Sequence, residues 1–167
     1  VGGQQNTIED FGQESFIGGG YNNLISPSLQ GRDFIGGGSD NVTGGRGYAT
    51  IGGGQQNVVD QYGFIGGGAI NVITGNYGVI AGGSSNSAGR LAAVPGGHLN
   101  SADGIYSFAA GRRAKADHAG AFIWADQTNA DFASVIADEF AVRAGGGVRF
   151  VAPILDVSGD IFRLRTA

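Results

Sequence analysis

The stretch Ile65-Gly66-Gly67-Gly68-Ala69-Ile70-Asn71 decides the fold of this chain, because the chain repeats it with small changes. Counted from the lead isoleucine as offset zero, glycine stands at offset three and asparagine at offset six. The lead residues lie 18, 16, 14, 15, 14 and 14 residues apart, at Ile17, Ile35, Ile51, Ile65, Ile80, Val94 and Phe108. A partial copy begins at Val1. This period predicts a solenoid in which each repeat forms one coil.

Four positions of the repeat keep one chemical character. Offset zero is apolar, offset two is glycine or alanine, offset six is asparagine, and offset eight is mostly apolar. Constancy at alternate residues is typical of strands, so we expect strands over roughly offsets −2 to 2 and 5 to 8. Offset three accepts only glycine, which predicts a left-handed turn or a close backbone approach. These turn residues are Gly20, Gly38, Gly54, Gly68, Gly83, Gly97 and Gly111.

The asparagines at offset six are predicted to point inward and to form a ladder through the stacked coils. A buried amide without partners costs about 1–3 kcal/mol, so each should bond the amide of the next coil and the turn backbone. The predicted ladder consists of Asn23, Asn41, Asn57, Asn71, Asn86 and Asn100. In the last repeat Ala114 takes the place of the asparagine.

Aromatic residues recur in phase with the repeat and predict further ladders on another face. Tyr48, Tyr62 and Tyr77 stand three residues before a lead residue, and phenylalanines stand one before, at Phe16, Phe34 and Phe64. The tyrosines and Trp124 are candidate ligand contacts. Insertions at 28–31 and 44–47 follow offset eight and predict loops on one side of the solenoid, where recognition is often found.

The composition argues against several classes of partner. Charged residues make up 14% of the chain and the net charge is −4, whereas nucleic acids and anionic membranes require clustered Lys and Arg. No apolar run approaches the ~18–20 residues of a membrane span, and no signal peptide is visible. Because the chain starts at Val1 in mid-repeat, we expect a fragment whose targeting segment would lie outside it. The absence of cysteine excludes a disulfide framework and Cys-ligated zinc.

A coil built from this repeat has a thin core. Offset two is glycine or alanine and offset one is mostly glycine, so each coil has little apolar area to bury. Small residues allow backbones to approach closely, so we expect several chains to pack their glycine faces together as an obligate oligomer with closed cyclic symmetry.

The unit Ser107-Phe108-Ala109-Ala110-Gly111-Arg112-Arg113-Ala114-Lys115-Ala116 resembles the S-V-A-I-G-x-x-A-x-A repeat of YadA-type heads. These heads are the left-handed parallel β-rolls of trimeric autotransporter adhesins, also called haemagglutinin repeats. The resemblance covers residues 1 to about 125 and implies a homotrimeric left-handed β-roll at a bacterial cell surface. The family's neck motif and heptad stalk are not recognisable in this chain.

The C-terminal part resembles a different set of proteins. The segments 121–126 and 138–150 are similar to a segment of phage tail fibres and bacterial surface fibres that precedes an intramolecular chaperone domain. The resemblance makes a virion tail fibre the alternative carrier. We therefore predict two regions, a β-roll head over 1–125 and a C-terminal β region over 126–167. Short alternating strands around 140–144, 148–152, 154–157 and 161–165 would be marginal alone, so we expect them to intertwine among three chains as a β-prism.

The titratable residues favour structural roles. His98 and His118, the only histidines, lack the further ligands that a metal site requires. The glycine-rich strings are similar to calcium-binding β-rolls, but aspartate is sporadic, as at Asp40. The phosphate-loop alternative lacks its lysine and helix. Glu9, Asp10 and Glu14 could form a glycosidase pair, although solvated turn charge is the simpler interpretation. Trp124 either caps the core or stacks on a sugar.

These patterns predict a non-enzymatic head without cofactors or bound metal. Three copies would bind a host receptor, matrix protein or glycan by multivalency. The alternative is a structural spacer of a tail or surface fibre, with recognition elsewhere. Ice binding is a third class, but it requires a regular threonine row, and the threonines before residue 125 share no offset: Thr7, Thr43, Thr50 and Thr74.

Overall fold

The computed structural model describes residues 2–9, 14–27, 31–45 and 47–151. The first insertion at 28–30, Arg46 of the second insertion, Val1 and Asp10 lie outside these residues. The predicted strands beyond residue 151 lie outside them as well. The described ranges contain no helix, so no helix that could span a membrane is present in them.

The described residues form short strands separated by bends. In chain order these are β1 (Thr7–Ile8), β2 (Phe16–Ile17), β3 (Leu24–Ile25), β4 (Phe34–Ile35), β5 (Val42–Thr43), β6 (Thr50–Ile51), β7 (Val58–Val59), β8 (Phe64–Ile65), β9 (Val72–Ile73), β10 (Val79–Ile80), β11 (Ser87–Ala88), β12 (Ala93–Val94), β13 (Gly97–His98), β14 (Ser101–Ala102), β15 (Phe108–Arg112), β16 (Ala114–Lys115), β17 (Phe122–Ala125), β18 (Phe132–Ala133) and β19 (Phe140–Arg143).

These strands stack into two parallel sheets, so the predicted parallel β-solenoid is confirmed. The first sheet runs β1-β3-β5-β7-β9-β11-β14-β16-β18 and the second runs β19-β17-β15-β12-β10-β8-β6-β4-β2, with β13 pairing beside β15. Every strand pairs with the equivalent strand of the next coil, as Ile51 does with Ile65. The strands β18 and β19, in the segment assigned to the C-terminal region, continue the two sheets by the same pairing.

The strands are shorter than predicted. Most cover only offsets −1 to 0 or 7 to 8, because the chain turns at offset three and again at offset five. The backbone at offset five has a left-handed conformation, although no glycine stands there. The residues concerned are Asn22, Asp40, Gln56, Ile70, Ser85, Leu99 and Arg113. Between the two turns, single bridges such as Ser39 to Gln55 link offset four of successive coils.

The core is a double column of side chains between the two sheets. Offset zero and offset eight supply it, and both are buried in the described coils, from Ile17 and Ile25 onward. The two offsets that are mostly apolar in the sequence therefore face inward. The column narrows along the chain, because isoleucine and valine give way to alanine at Ala88, Ala102 and Ala116.

One assignment of the repeat was wrong. Phe108, which the sequence pattern assigns to offset zero, pairs with Ala93 at offset −1 and stacks outside the core on Phe122. Ala109 takes the inward position and is fully buried. Gly111 pairs with Gly97 in the same strand, so this coil has one residue fewer between the outward aromatic position and the turn.

Candidate functional site

The glycine row at offset three forms the sharp turn of every coil. The φ angles are 96° at Gly20, 93° at Gly38, 98° at Gly54, 91° at Gly68, 90° at Gly83, 101° at Gly97 and 97° at Gly111. A Cβ on Gly68 would also lie 2.0 Å from the carbonyl oxygen of Gly83 in the next coil. The positive φ and the close approach of the next coil therefore both require glycine at offset three.

The asparagines at offset six lie fully buried directly beneath these turns. The Nδ2 group of Asn57 donates to Gly53 O at 3.1 Å, Gly68 O at 2.9 Å and Asn41 Oδ1 at 3.1 Å. Its Oδ1 accepts from both the backbone amide and the Nδ2 group of Asn71. The same three bonds from Nδ2 recur at Asn23, Asn41, Asn71 and Asn86. Asn100 ends the ladder by accepting from the Ala114 amide.

The predicted tyrosines form a stack at a third, left-handed corner of the coil. Ring centroids of Tyr48 and Tyr62 lie 5.5 Å apart, and those of Tyr62 and Tyr77 lie 5.1 Å apart. All three have positive φ, as do Glu14 and Arg32 in the coils before them. Arg32 donates to the Tyr48 hydroxyl and pairs with Glu14 at 2.8 Å. Glu14 of the candidate carboxylate cluster is therefore held in an ion pair.

The phenylalanines one residue before the lead form a second stack, here called the Phe column. By strand register it comprises Phe16, Phe34, Thr50, Phe64, Val79, Ala93, Phe108, Phe122 and Phe140. Phe16, Phe34 and Phe64 are 51%, 40% and 44% exposed. The stacking distance falls from 5.6 Å between Phe16 and Phe34 to 4.4 Å between Phe108 and Phe122. This outer surface is apolar over most of its length.

The glycines at offsets one and two differ in what surrounds them. A Cβ on Gly52, at offset one, would lie 2.4 Å from the carbonyl oxygen of Gly66, so stacking of coils alone requires glycine there. At offset two the space is open: a Cβ on Gly53 would meet nothing closer than 3.8 Å, and one on Gly82 nothing within 4 Å. Contacts among the described residues therefore do not explain the small residues at offset two, although the positive φ of Gly96 favours glycine at that one position.

Trp124 lines a groove on the surface of the solenoid. This groove, which we call the Trp124 groove, has a volume of about 800 Å³, and its wall includes His98, Arg112, Gln127 and Gly145 to Gly147. Trp124 is 38% exposed, so its indole does not cap the core. A smaller groove of about 370 Å³ crosses the other sheet beside Val42, Val58 and Val72.

Asp126 fixes one wall of the Trp124 groove. Its carboxylate accepts from the Gly145 amide at 2.7 Å, the Thr128 amide at 3.1 Å and Arg143 Nε at 3.1 Å. These bonds, led by the one from Gly145, hold the pKa of the Asp126 carboxyl well below its usual range. The carboxylate thereby ties the glycine-rich turn after β19 to the end of β17.

The structure brings together a His–Ser pair that sequence spacing did not suggest. Ser134 Oγ lies 2.8 Å from His118 Nδ1 and accepts from the backbone amides of Asp117 and His118 at 3.1 Å. With both acceptor positions filled, the hydroxyl proton is directed at Nδ1. Ser134 is 6% exposed whereas His118 is exposed, so the pair closes a turn at the surface of the solenoid. In the described part of the chain no three His, Asp or Glu side chains gather as a metal site requires.

No protein-family model matches the chain, and no curated protein is similar to it in sequence. The geometry defines an all-β, parallel solenoid repeat protein of about nine coils. Arguments about its function rest on its own residues.

Proposed function

We propose that this chain is the non-enzymatic head of a trimeric surface fibre, which attaches its carrier to a host receptor, matrix protein or glycan. Three solenoids, coiled as left-handed β-rolls, pack about a threefold axis. The carrier is a bacterial cell surface, with a phage tail fibre as the alternative.

The exposed Phe column is the observation that carries this proposal. A ladder of half-exposed phenylalanine rings along one sheet is unfavourable in water and is typical of a surface that another protein covers. The row of small residues at offset two adds to the argument, because it leaves open space that the backbone of a second copy could approach. Both features run along the solenoid axis, although Thr50, Val79 and Ala93 interrupt the phenylalanines, and an interface between parallel copies of the same solenoid would run in that direction.

The end of the described chain supports intertwining of the C-terminal region as a β-prism. Val148, Phe150 and Val151 are each more than half exposed, which leaves an apolar segment uncovered by the described residues. Three such segments would bury one another. If a chain truncated after Arg143 assembles and melts like the full chain, intertwining is not needed for assembly.

Binding is tested by presenting the labelled chain to arrays of glycans and matrix proteins. We expect the wild type to bind, and Phe64→Glu, which places a charge in the Phe column, to dissociate into monomers and bind roughly 100-fold more weakly through lost avidity. Tyr106→Glu is the matched control, because Tyr106 is 66% exposed and lies outside the Phe column. An intact trimer that binds nothing on either array would instead identify a spacer.

A further inference from the structure

We propose that the Trp124 groove binds an acidic saccharide, with the indole of Trp124 under the sugar ring and the guanidinium of Arg112 on its carboxylate. This inference rests on the proposed attachment function and assigns that function to one site. Three observations carry it: the exposure of the indole, the charge state of the groove wall and the pre-arrangement of that wall.

The exposed indole supplies a flat apolar surface inside a groove. Trp124 pairs in register with Ala110 and Val142 on the second strand from the end of the second sheet, so its backbone is held on both sides. An exposed tryptophan on a rigid strand loses little conformational entropy on binding. One face of a pyranose ring carries C–H bonds only, and it matches an indole in size. Grooves of this kind bind ligands through an apolar platform and a few polar groups.

The charge in the groove favours an anion. Arg112 donates from Nη1 to Gln127 O at 3.0 Å and from Nη2 to Asn129 Oδ1 at 2.9 Å, and both acceptors are neutral. Within the described ranges no carboxylate lies within ion-pair distance of Arg112, although Arg113 pairs with Asp131 and Arg143 pairs with Asp126. Two of its five N–H groups are used, which leaves donors for a carboxylate.

The negative charge of Asp126, which lines the groove, does not oppose the binding of an anion. Its oxygens are taken by Gly145, Thr128 and Arg143, and the charge of Arg143 balances its own. The remaining wall offers the side chains of His98, Gln127 and Thr128 for sugar hydroxyls. The groove therefore combines one uncompensated cation, several neutral hydrogen-bonding groups and one aromatic platform.

The emission of Trp124 reports on the groove directly, because the chain contains one tryptophan. The full chain is titrated with sialyllactose and trigalacturonic acid, with lactose and maltotriose as neutral controls, while emission and heat are recorded. We expect both acidic sugars to shift the emission and to protect the indole from acrylamide quenching, and neutral sugars to bind at least about tenfold more weakly. If acrylamide fails to quench the indole before any sugar is added, another chain covers the groove and the proposal fails.

Variants separate this proposal from the attachment function. By calorimetry, Trp124→Ala should abolish binding, and Arg112→Gln should weaken binding of acidic sugars about 10- to 100-fold with little effect on neutral ones. Arg90→Gln, an exposed arginine outside the groove, is the matched control, and thermal melting checks the fold of each variant. Acidic sugars that bind both groove variants as tightly as the wild type would overturn the site but leave attachment standing. A glutamate-rich peptide that competes as well as the sugars would overturn the saccharide assignment.

Discussion

At the scale of single residues, the buried asparagine ladder is the main polar element of the solenoid. Each inner amide nitrogen has two hydrogens but three acceptors close by, as Asn57 shows with Gly53, Gly68 and Asn41. One hydrogen is therefore shared between acceptors. The amide fastens the turn of its own coil, the turn of the next coil and the asparagine before it, so the ladder links three coils through one side chain.

Removing one amide from this ladder should be costly. Asn57→Ala removes the amide donor from the carbonyl oxygen of Gly53 and the acceptor from the backbone amide of Asn71. The carbonyl oxygen of Gly68 loses one of its two donors and keeps the Gln55 amide. We therefore expect a loss of about 3 kcal/mol of unfolding free energy. Denaturant unfolding measures it. Gln55→Ala, an exposed side chain two residues earlier, is the control and should change stability by less than about 0.5 kcal/mol. Equal effects of both variants would contradict the role given to the ladder.

A second residue breaks the pattern of the core. Thr43 is fully buried at offset eight, and its hydroxyl has no hydrogen-bond partner among the described residues. Thr43→Val should therefore stabilise the chain by about 1 kcal/mol, because it replaces an unsatisfied hydroxyl with a methyl group of similar size. The reverse change one coil later, Val59→Thr, should destabilise by a similar amount. A lower melting temperature for Thr43→Val would show that the hydroxyl has a partner.

The Asp126 carboxylate gives the groove wall a pH dependence. Since folding lowers the pKa of Asp126, the charged form favours the folded wall. The stabilisation is complete above the ordinary carboxyl pKa of about 3.9 and is lost as the pH falls from there toward the folded value. Hydrogen exchange at the Gly145 amide should therefore show falling protection below about pH 4, after correction for intrinsic rates. Asp126→Asn should have low protection at every pH, and protection that does not change with pH in the wild type would contradict this account.

At the scale of elements, the coil is built from turns more than from strands. Two-residue strands carry little regular structure, and the chain direction is set by left-handed residues at offset three, at offset five and at the tyrosine corner. Stacking repeats these strained positions in register. Each strained residue is then held by the amide-to-carbonyl bonds of the neighbouring coil, as Asp40 is by Tyr21.

Neighbouring glycines should respond differently to a methyl group. Gly83→Ala puts a Cβ 2.2 Å from the carbonyl of Gly97 at a φ of 90°, so we expect a loss of at least about 2 kcal/mol or failure to fold. Gly82→Ala places its methyl group in open space and should change the unfolding free energy by less than about 1 kcal/mol. Thermal melting of the two variants tests this prediction. Similar melting temperatures for Gly83→Ala and Gly82→Ala would contradict it.

The periodic residues made the coil predictable from sequence, whereas features without a residue signature were missed. Glycine at offset three marks its own turn, and alternation of Ile17 with Ile25 marks the core. Tyr62 and Gln56 carry left-handed backbone without any such mark, which is why the strands were predicted too long. The Ser134–His118 contact joins residues 16 apart, and it could be found only once the length of that coil was known. Phe108 was assigned to the wrong offset for the same reason, because its coil has one residue fewer before the turn.

At the scale of the whole molecule, the described residues of one chain leave two features uncovered. The Phe column is half exposed, and the offset-two glycines line open space, as at Gly82. Sequence periodicity predicted the thin core from which oligomerisation was inferred. It did not separate offset one, where a Cβ on Gly52 would meet the carbonyl oxygen of the next coil, from offset two, where a Cβ on Gly82 would enter open space. That separation gives the proposed trimer its most specific structural support.

The solution mass by light scattering, near neutral pH and across a dilution series, tests the proposed assembly most directly. The account predicts a mass of three times 16.9 kDa that persists on dilution, and a shift to 16.9 kDa for Phe64→Glu. A wild-type mass of 16.9 kDa, with cooperative melting, would contradict it, because the exposed Phe column and the open glycine row would then both face water in a stable monomer.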